Sequence, residues 1–160
     1  MSAEANRELI RRLYDALDRC DGEAMTACYA PDAHFRDPAF GDLHSDQVGG
    51  MWRMLTSRAT DLSVELRDHD ADEESGSANW VATYTFGATG RHVVNDIAAT
   101  FRFSDGLIAE HVDDFSFLNW ARQALGPGGV AVALVPPLRA RARKTALRQL
   151  ADFLSEEPAG

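Results

Sequence analysis

The sequence predicts an α+β fold, with helices on one face of a curved antiparallel sheet. Three observations predict it. Apolar residues recur at helical spacing from Leu9 to Leu55, the apolar period changes to two from Asp61 to Phe115, and turn signals cut that second stretch into successive strands. Strands that follow helices, rather than alternating with them, indicate a meander and not a parallel βαβ sheet.

Taken in order, Leu9, Ile10, Leu13, Tyr14 and Leu17 form the inner stripe of a first helix, with Arg7, Glu8, Arg11, Arg12, Asp15 and Asp18 on its other face. Asp21-Gly22 breaks that helix and caps a second, whose shorter stripe is Met25, Cys28 and Tyr29. Pro31-Asp32 is a turn and Ala33–Asp37 a short strand. Pro38 disfavours the α region for Asp37 and holds this acid extended where the strand leaves the sheet. The stretch from Gly41 to Asp46 is predicted to be a loop, and Val48, Met51, Trp52 and Leu55 mark a third helix.

Leu62, Val64 and Leu66 alternate with polar residues along a strand, and Asp68–Gly76 reads as an acidic loop. Trp80, Ala82, Tyr84 and Phe86 line the next strand, and Thr89-Gly90 turns the chain. Val93, Asn95, Ile97, Ala99, Phe101 and Phe103 line a third, and Ser104-Asp105-Gly106 makes a hairpin into a last strand, Leu107–Phe115. Phe117, Trp120, Ala121 and Ala124 suggest a short helix stopped by the glycines at 126–129. An apolar run, Val130–Val135, meets Pro136-Pro137, and an amphipathic helix follows from Arg139 to Phe153. Residues 1–125 therefore read as the domain proper, and 126–160 as a C-terminal extension packed on it.

At 160 residues and 45% hydrophobic, the chain suits one globular domain. A net charge of −9 argues against nucleic acid as a partner. Cys20 and Cys28, each placed inside a predicted helix, lack metal-ligand spacing and read as reduced thiols. The N-terminus shows no apolar signal region and no 18 apolar residues run together, so a cytoplasmic protein with no membrane partner is expected. Residues 139–148 nevertheless hold five of the 16 cations and none of the acids. That basic face reads first as solvated or packed on the acidic body, with a membrane-surface or acidic-partner role as the alternative.

Asp68-His69-Asp70-Ala71-Asp72 has the alternating acids of a calcium loop, but Glu73 stands where glycine is needed and Asn79 where a bidentate Glu is needed. Phosphate-loop and nucleophile-elbow motifs are absent, and His34, His44, His69, His92 and His111 contain no pair at helical ligand spacing. No metal or cofactor is expected. One constellation carries chemistry. His111, Asp113 and Phe115 share a face of the last strand, Asn95 lies on the strand before it, and Trp80 and Tyr84 on the one before that. If these faces point inward, with Asp37 at the rim, they form an apolar bowl with a few polar groups, the composition of a small-molecule pocket. Burial would raise the pKa of such an acid and suit it to proton transfer near neutrality. His111 could equally bond Asp113 or Tyr84 as a satisfied core pair.

Four segments resemble SnoaL-like members of the nuclear-transport-factor-2-like superfamily, which includes ketosteroid isomerases. They are Leu13–Asp18, Ala24–Ala33, Phe35–Pro38 and Asp105–Asp113. The resemblance implies a cone-shaped, strongly curved antiparallel sheet wrapped around the N-terminal helices (a cystatin-like α+β barrel), an apolar cavity and a homodimer. It places Asp37 at the general-base position of the isomerases. Their two oxyanion donors fall on Leu13, one residue from Tyr14, and on Ala99. The expected function is therefore binding of a small hydrophobic molecule, with acid–base catalysis of isomerase, cyclase or dehydratase type. Asp37, His111 and Asp113 would be catalytic, and Tyr14, Trp52, Trp80, Tyr84, Asn95 and Phe115 would contact the substrate. The alternatives are a non-catalytic ligand-binding or dimerisation module, and a scaffold whose cavity is plugged, which would show no pocket.

Overall fold

The computed structural model describes residues 2–158. Helix α1 (Ala3–Asp18) starts at Ser2, whose hydroxyl accepts from the Ala5 N–H at 3.1 Å, and buries Leu9, Ile10, Leu13, Tyr14 and Leu17. Helix α2 (Gly22–Thr26) is capped by the Asp21 carboxylate, which accepts from the Ala24 N–H. The two cysteines lie outside helices, contrary to expectation. Cys20 takes φ +56 in the turn after α1, and Cys28 sits in the link between α2 and the sheet.

Strand β1 (Tyr29–Asp37) begins four residues earlier than the pattern indicated, because Tyr29 pairs with Ile108 and an irregularity before His34 absorbs Pro31-Asp32. The segment expected to be a loop supplies β2 (Gly41–His44), paired with β1, and Gly41 at φ +74 makes the turn into it. After α3 (Asp46–Arg58) come β3 (Ser63–Ala71), β4 (Ser75–Phe86), β5 (Arg91–Ser104) and β6 (Leu107–Asp114). The acidic stretch after Leu66 is thus mostly strand. Only three residues turn the chain, where the Asp72 carboxylate accepts from the Glu74 and Ser75 N–H groups at 2.8 and 2.7 Å. Helices α4 (Phe117–Leu125), α5 (Gly128–Leu134) and α6 (Pro136–Glu156) complete the chain. The apolar run before Pro136 is mostly α5, and α6 is longer at both ends than predicted.

The six strands lie in the order β2-β1-β6-β5-β4-β3 in a curved, unclosed sheet. The meander from β3 to β6 is antiparallel, and β1 joins β6 in parallel. On β5, Val93, Asn95, Ile97, Ala99 and Phe101 are buried while their neighbours are exposed. Of these, Ile97, Ala99 and Phe101 join α1 and α3 in one core, and β5 also runs against α4. Helix α6 folds back on α3, where Leu150 is buried, Leu154 fills the space beside Gly50, and Glu157 accepts from Arg53 through both carboxylate oxygens at 2.7 and 2.8 Å. No helix among the described residues is long and apolar enough to cross a membrane.

Candidate functional site

The site is built on the β1–β6 seam. Phe35 of β1 stands beside His111 of β6, and Phe101 of β5 flanks His111 on the other side. Both rings pack on the imidazole, with centroids 5.1 and 4.5 Å away, and Trp52 of α3 stacks at 6.2 Å. Continuing the parallel register by two residues sets Asp37 beside Asp113 on the same face, on strands about 5 Å apart.

His111 is fully buried and both of its ring nitrogens are engaged. Nδ1 lies 2.8 Å from the Tyr29 hydroxyl, and Nε2 lies 2.8 Å from Asp113 Oδ1. The indole N–H of Trp52 donates to the Tyr29 hydroxyl at 2.9 Å. An indole can only donate, so Tyr29 accepts from Trp52. With Asp113 as an acceptor at Nε2, the neutral arrangement that gives every group a partner has Tyr29 donating to His111 Nδ1 and Nε2–H donating to Asp113. Burial, and next the Asp113 charge, push the Tyr29 phenol well above its ordinary pKa, so it stays a donor.

Asp37 is half-buried at the end of this arrangement. Its Oδ1 accepts from the N–H groups of Ala39 at 3.0 Å and Phe40 at 2.6 Å, which closes an Asx turn over Pro38. Burial raises its pKa most, and Asp113 adds to the rise. The two backbone donors and His111 oppose these effects, and the result is a carboxyl pushed up to about 6. Arg143 of α6 donates to the Pro38 carbonyl at 3.3 Å and ties the extension to this turn.

The remaining candidates divide. Tyr14 and Trp80 pack against each other with ring centroids 5.0 Å apart, both buried, and neither the Tyr14 hydroxyl nor the Trp80 N–H has a partner among the described residues. Burial and then the Asp113 charge raise the Tyr14 phenol well above its ordinary value. Ala99, to which the resemblance assigned an oxyanion donor, lies directly across the strand pair from Asp113. Asn95 is buried on the same face. Tyr84 is not joined to His111; its hydroxyl accepts from Trp120 of α4 at 2.7 Å. Phe115, just past the end of β6, packs against both the main core and a second apolar cluster around Phe117 and Ala121.

Trp52, expected as a substrate contact, donates to Tyr29. Tyr29 itself was missed, because its partner is reached only through the parallel pairing. Two open clefts, of about 580 and 310 Å³, lie beside the start of α1 near His69 and across β3–β5 near Asn79. Neither is lined by Asp37, His111 or Asp113. No group of three or more His, Cys, Asp or Glu side chains that could hold a metal occurs among the described residues.

Comparison with known proteins adds a family and a fold. The profile of the SnoaL-like domain matches residues 10–111. No curated protein matches the chain. Among solved structures, a protein of ketosteroid isomerase-like fold from Catenulispora acidiphila, in complex with trimethylamine, superposes with TM-score 0.66 at 16% identity. That similarity covers 75% of this chain and 94% of the other. An LEH-like epoxide hydrolase from M. tuberculosis gives TM-score 0.65 at 18% identity, over 84% and 98% of the two chains. A de novo designed protein with a curved β-sheet gives 0.58 at 19% identity, over 72% and 88%. At such identities the shared property is the fold.

Proposed function

The chain belongs to the SnoaL-like domain family, and from that premise we propose that it binds a small hydrophobic molecule against the inner face of its sheet and transforms it by proton transfer through its own side chains. The observation that carries this reading is Asp37, a half-buried carboxyl held near pKa 6 beside a second acid. Such a group is mostly ionised at neutral pH yet basic enough to take a proton from carbon next to a carbonyl. The C–H electron pair would move into the carbonyl to give an enolate, and the proton would rest on Asp37. Return of that proton elsewhere gives an isomer, attack by the enolate gives a ring, and loss of a β-hydroxyl gives an alkene.

The roles of the other groups follow from what each has free. His111, with both nitrogens engaged, holds Asp113 in place rather than donating to substrate. Asp113 keeps the pKa of Asp37 raised. Tyr14 and Trp80 have the buried donors without acceptors, and these would take up the developing oxygen charge. Asn95 and Tyr84 would contact the rest of the molecule.

The engaged histidine also favours a second reading, in which the protein binds its ligand without changing it. The two separate on a substrate identified by mass spectrometry of co-purified ligand. Asp37→Asn is expected to lower its turnover by about 10²–10⁴-fold with little change in binding. If Asp37→Asn and Asp113→Asn both leave turnover intact, the catalytic assignment fails. A ligand recovered unaltered after incubation leaves the binding reading.

A further inference from the structure

Among the described residues six large hydrophobic side chains are exposed, and three of them, Leu134, Val135 and Leu138, fall within five residues at the corner between α5 and α6. Leu134 is the most open of all, at 63%. Pro136 and Pro137 between them are also exposed, so the corner presents one continuous apolar surface.

The cations of α6 continue this surface. The helix packs through Ala142, Ala146, Leu150 and Phe153, which are buried or half-buried. At about 100° per residue, Arg141, Lys144 and Arg148 fall close to the opposite side, in a row pointing away from the body. All three are exposed, and none joins an ion pair among the described residues. Arg139 and Arg143 are occupied differently, on the Phe117 ring and the Pro38 carbonyl.

We propose that the α5–α6 corner and the outer face of the first half of α6, from Pro136 to Arg148 and before the acids Asp152 and Glu156, dock on an anionic lipid surface. Leu134, Val135 and Leu138 would enter the headgroup boundary, and Arg141, Lys144 and Arg148 would lie over the anionic headgroups. Charge complementarity selects this occupant. The basic row stands on a chain of net charge −9, and at physiological salt, with a screening length of about 8 Å, the local row governs contact at this face. The apolar corner selects lipid over the other anionic partners. A phosphate backbone offers Leu134 and Val135 nothing to bury against, whereas acyl chains do. The site on the β1–β6 seam has no part in this contact.

The test is flotation of the full chain with vesicles of phosphatidylcholine, with and without a phosphatidylglycerol component, at low and high salt. Binding is expected with the anionic vesicles alone and should weaken as salt rises. Arg141→Glu/Lys144→Glu/Arg148→Glu is expected to weaken it by about 100-fold, from roughly fivefold for each basic residue near the surface. Leu134→Ser/Val135→Ser/Leu138→Ser should abolish it at unchanged circular dichroism. Equal binding to neutral vesicles, no binding at all, or wild-type binding by the charge-reversed variant overturns the proposal. So does a dimer in size-exclusion chromatography that the serine variant disperses, since the corner would then be covered by a second copy.

Discussion

The two halves of the buried sheet face treat their polar groups in opposite ways. Around the β1–β6 seam every donor has an acceptor, from Trp52 through Tyr29 and His111 to Asp113. A few residues away, around α1 and β4, the Tyr14 hydroxyl and the Trp80 N–H have none. Buried polar groups are rarely left unpaired in folded proteins, because each costs about 1–3 kcal/mol. The contrast separates a half whose polar groups are satisfied among its own side chains from a half that holds two donors unsatisfied among the described residues. The first holds charges in position and the second offers hydrogen bonds.

The strongest way to break this contrast is to empty the partnered half. His111→Ala should destabilise the protein by about 3–5 kcal/mol, since it opens a void among Phe35, Phe101 and Trp52 and strips Asp113 of its donor. Urea unfolding at neutral pH measures it, and a loss under 1 kcal/mol would mean that the chain of bonds is not formed.

A finer comparison sets two tyrosines against each other. Tyr29→Phe leaves both Trp52 and His111 short of a partner and should cost about 2–3 kcal/mol. Tyr14→Phe removes a hydroxyl that bonds nothing and should change stability by less than about 0.5 kcal/mol, or raise it. Equal losses in the two variants would erase the distinction.

The Asp37 effect carries the clearest pH signature. Asp37 has a folded pKa of about 6 against an ordinary 3.8, so the folded state binds the proton more tightly than the unfolded state. Ionisation therefore costs stability. The cost is absent below pH 3.8, grows as pH rises, and is complete above about 6. Asn at this position keeps an oxygen for the Ala39 and Phe40 N–H groups and cannot ionise. Asp37→Asn should thus match the wild type near pH 3 and exceed it by about 2–3 kcal/mol at pH 7. A variant less stable than wild type at pH 7 would show that Asp37 is not strained by its surroundings.

Much of this was legible in the chain. Alternation from Val93 to Phe101 gave the inner face of β5, Asp105-Gly106 gave the hairpin into β6, and Asp37-Pro38 gave the constrained acid. What was hidden has a common cause in long-range pairing. The parallel contact of β1 with β6 leaves no local pattern, so Tyr29 read as the end of a helical stripe rather than as the neighbour of His111. Four residues were too few for β2 to show a period. The Asp68–Ala71 end of β3 carries acids and a histidine because its side chains are mostly solvated, and so it resembled a loop. His111 was visible as a candidate. That both its nitrogens are engaged depends on Tyr29 and could not be read from spacing.

The hydrogen bond between Tyr29 and His111 joins residues 82 apart in sequence. A contact of such separation carries the entropic cost of closing the chain between its ends. Until β6 has emerged and docked beside β1, the indole of Trp52 and the phenol of Tyr29 have only water or each other. The interior charge arrangement therefore exists only in states in which β6 is docked beside β1, so its integrity reports on that one seam.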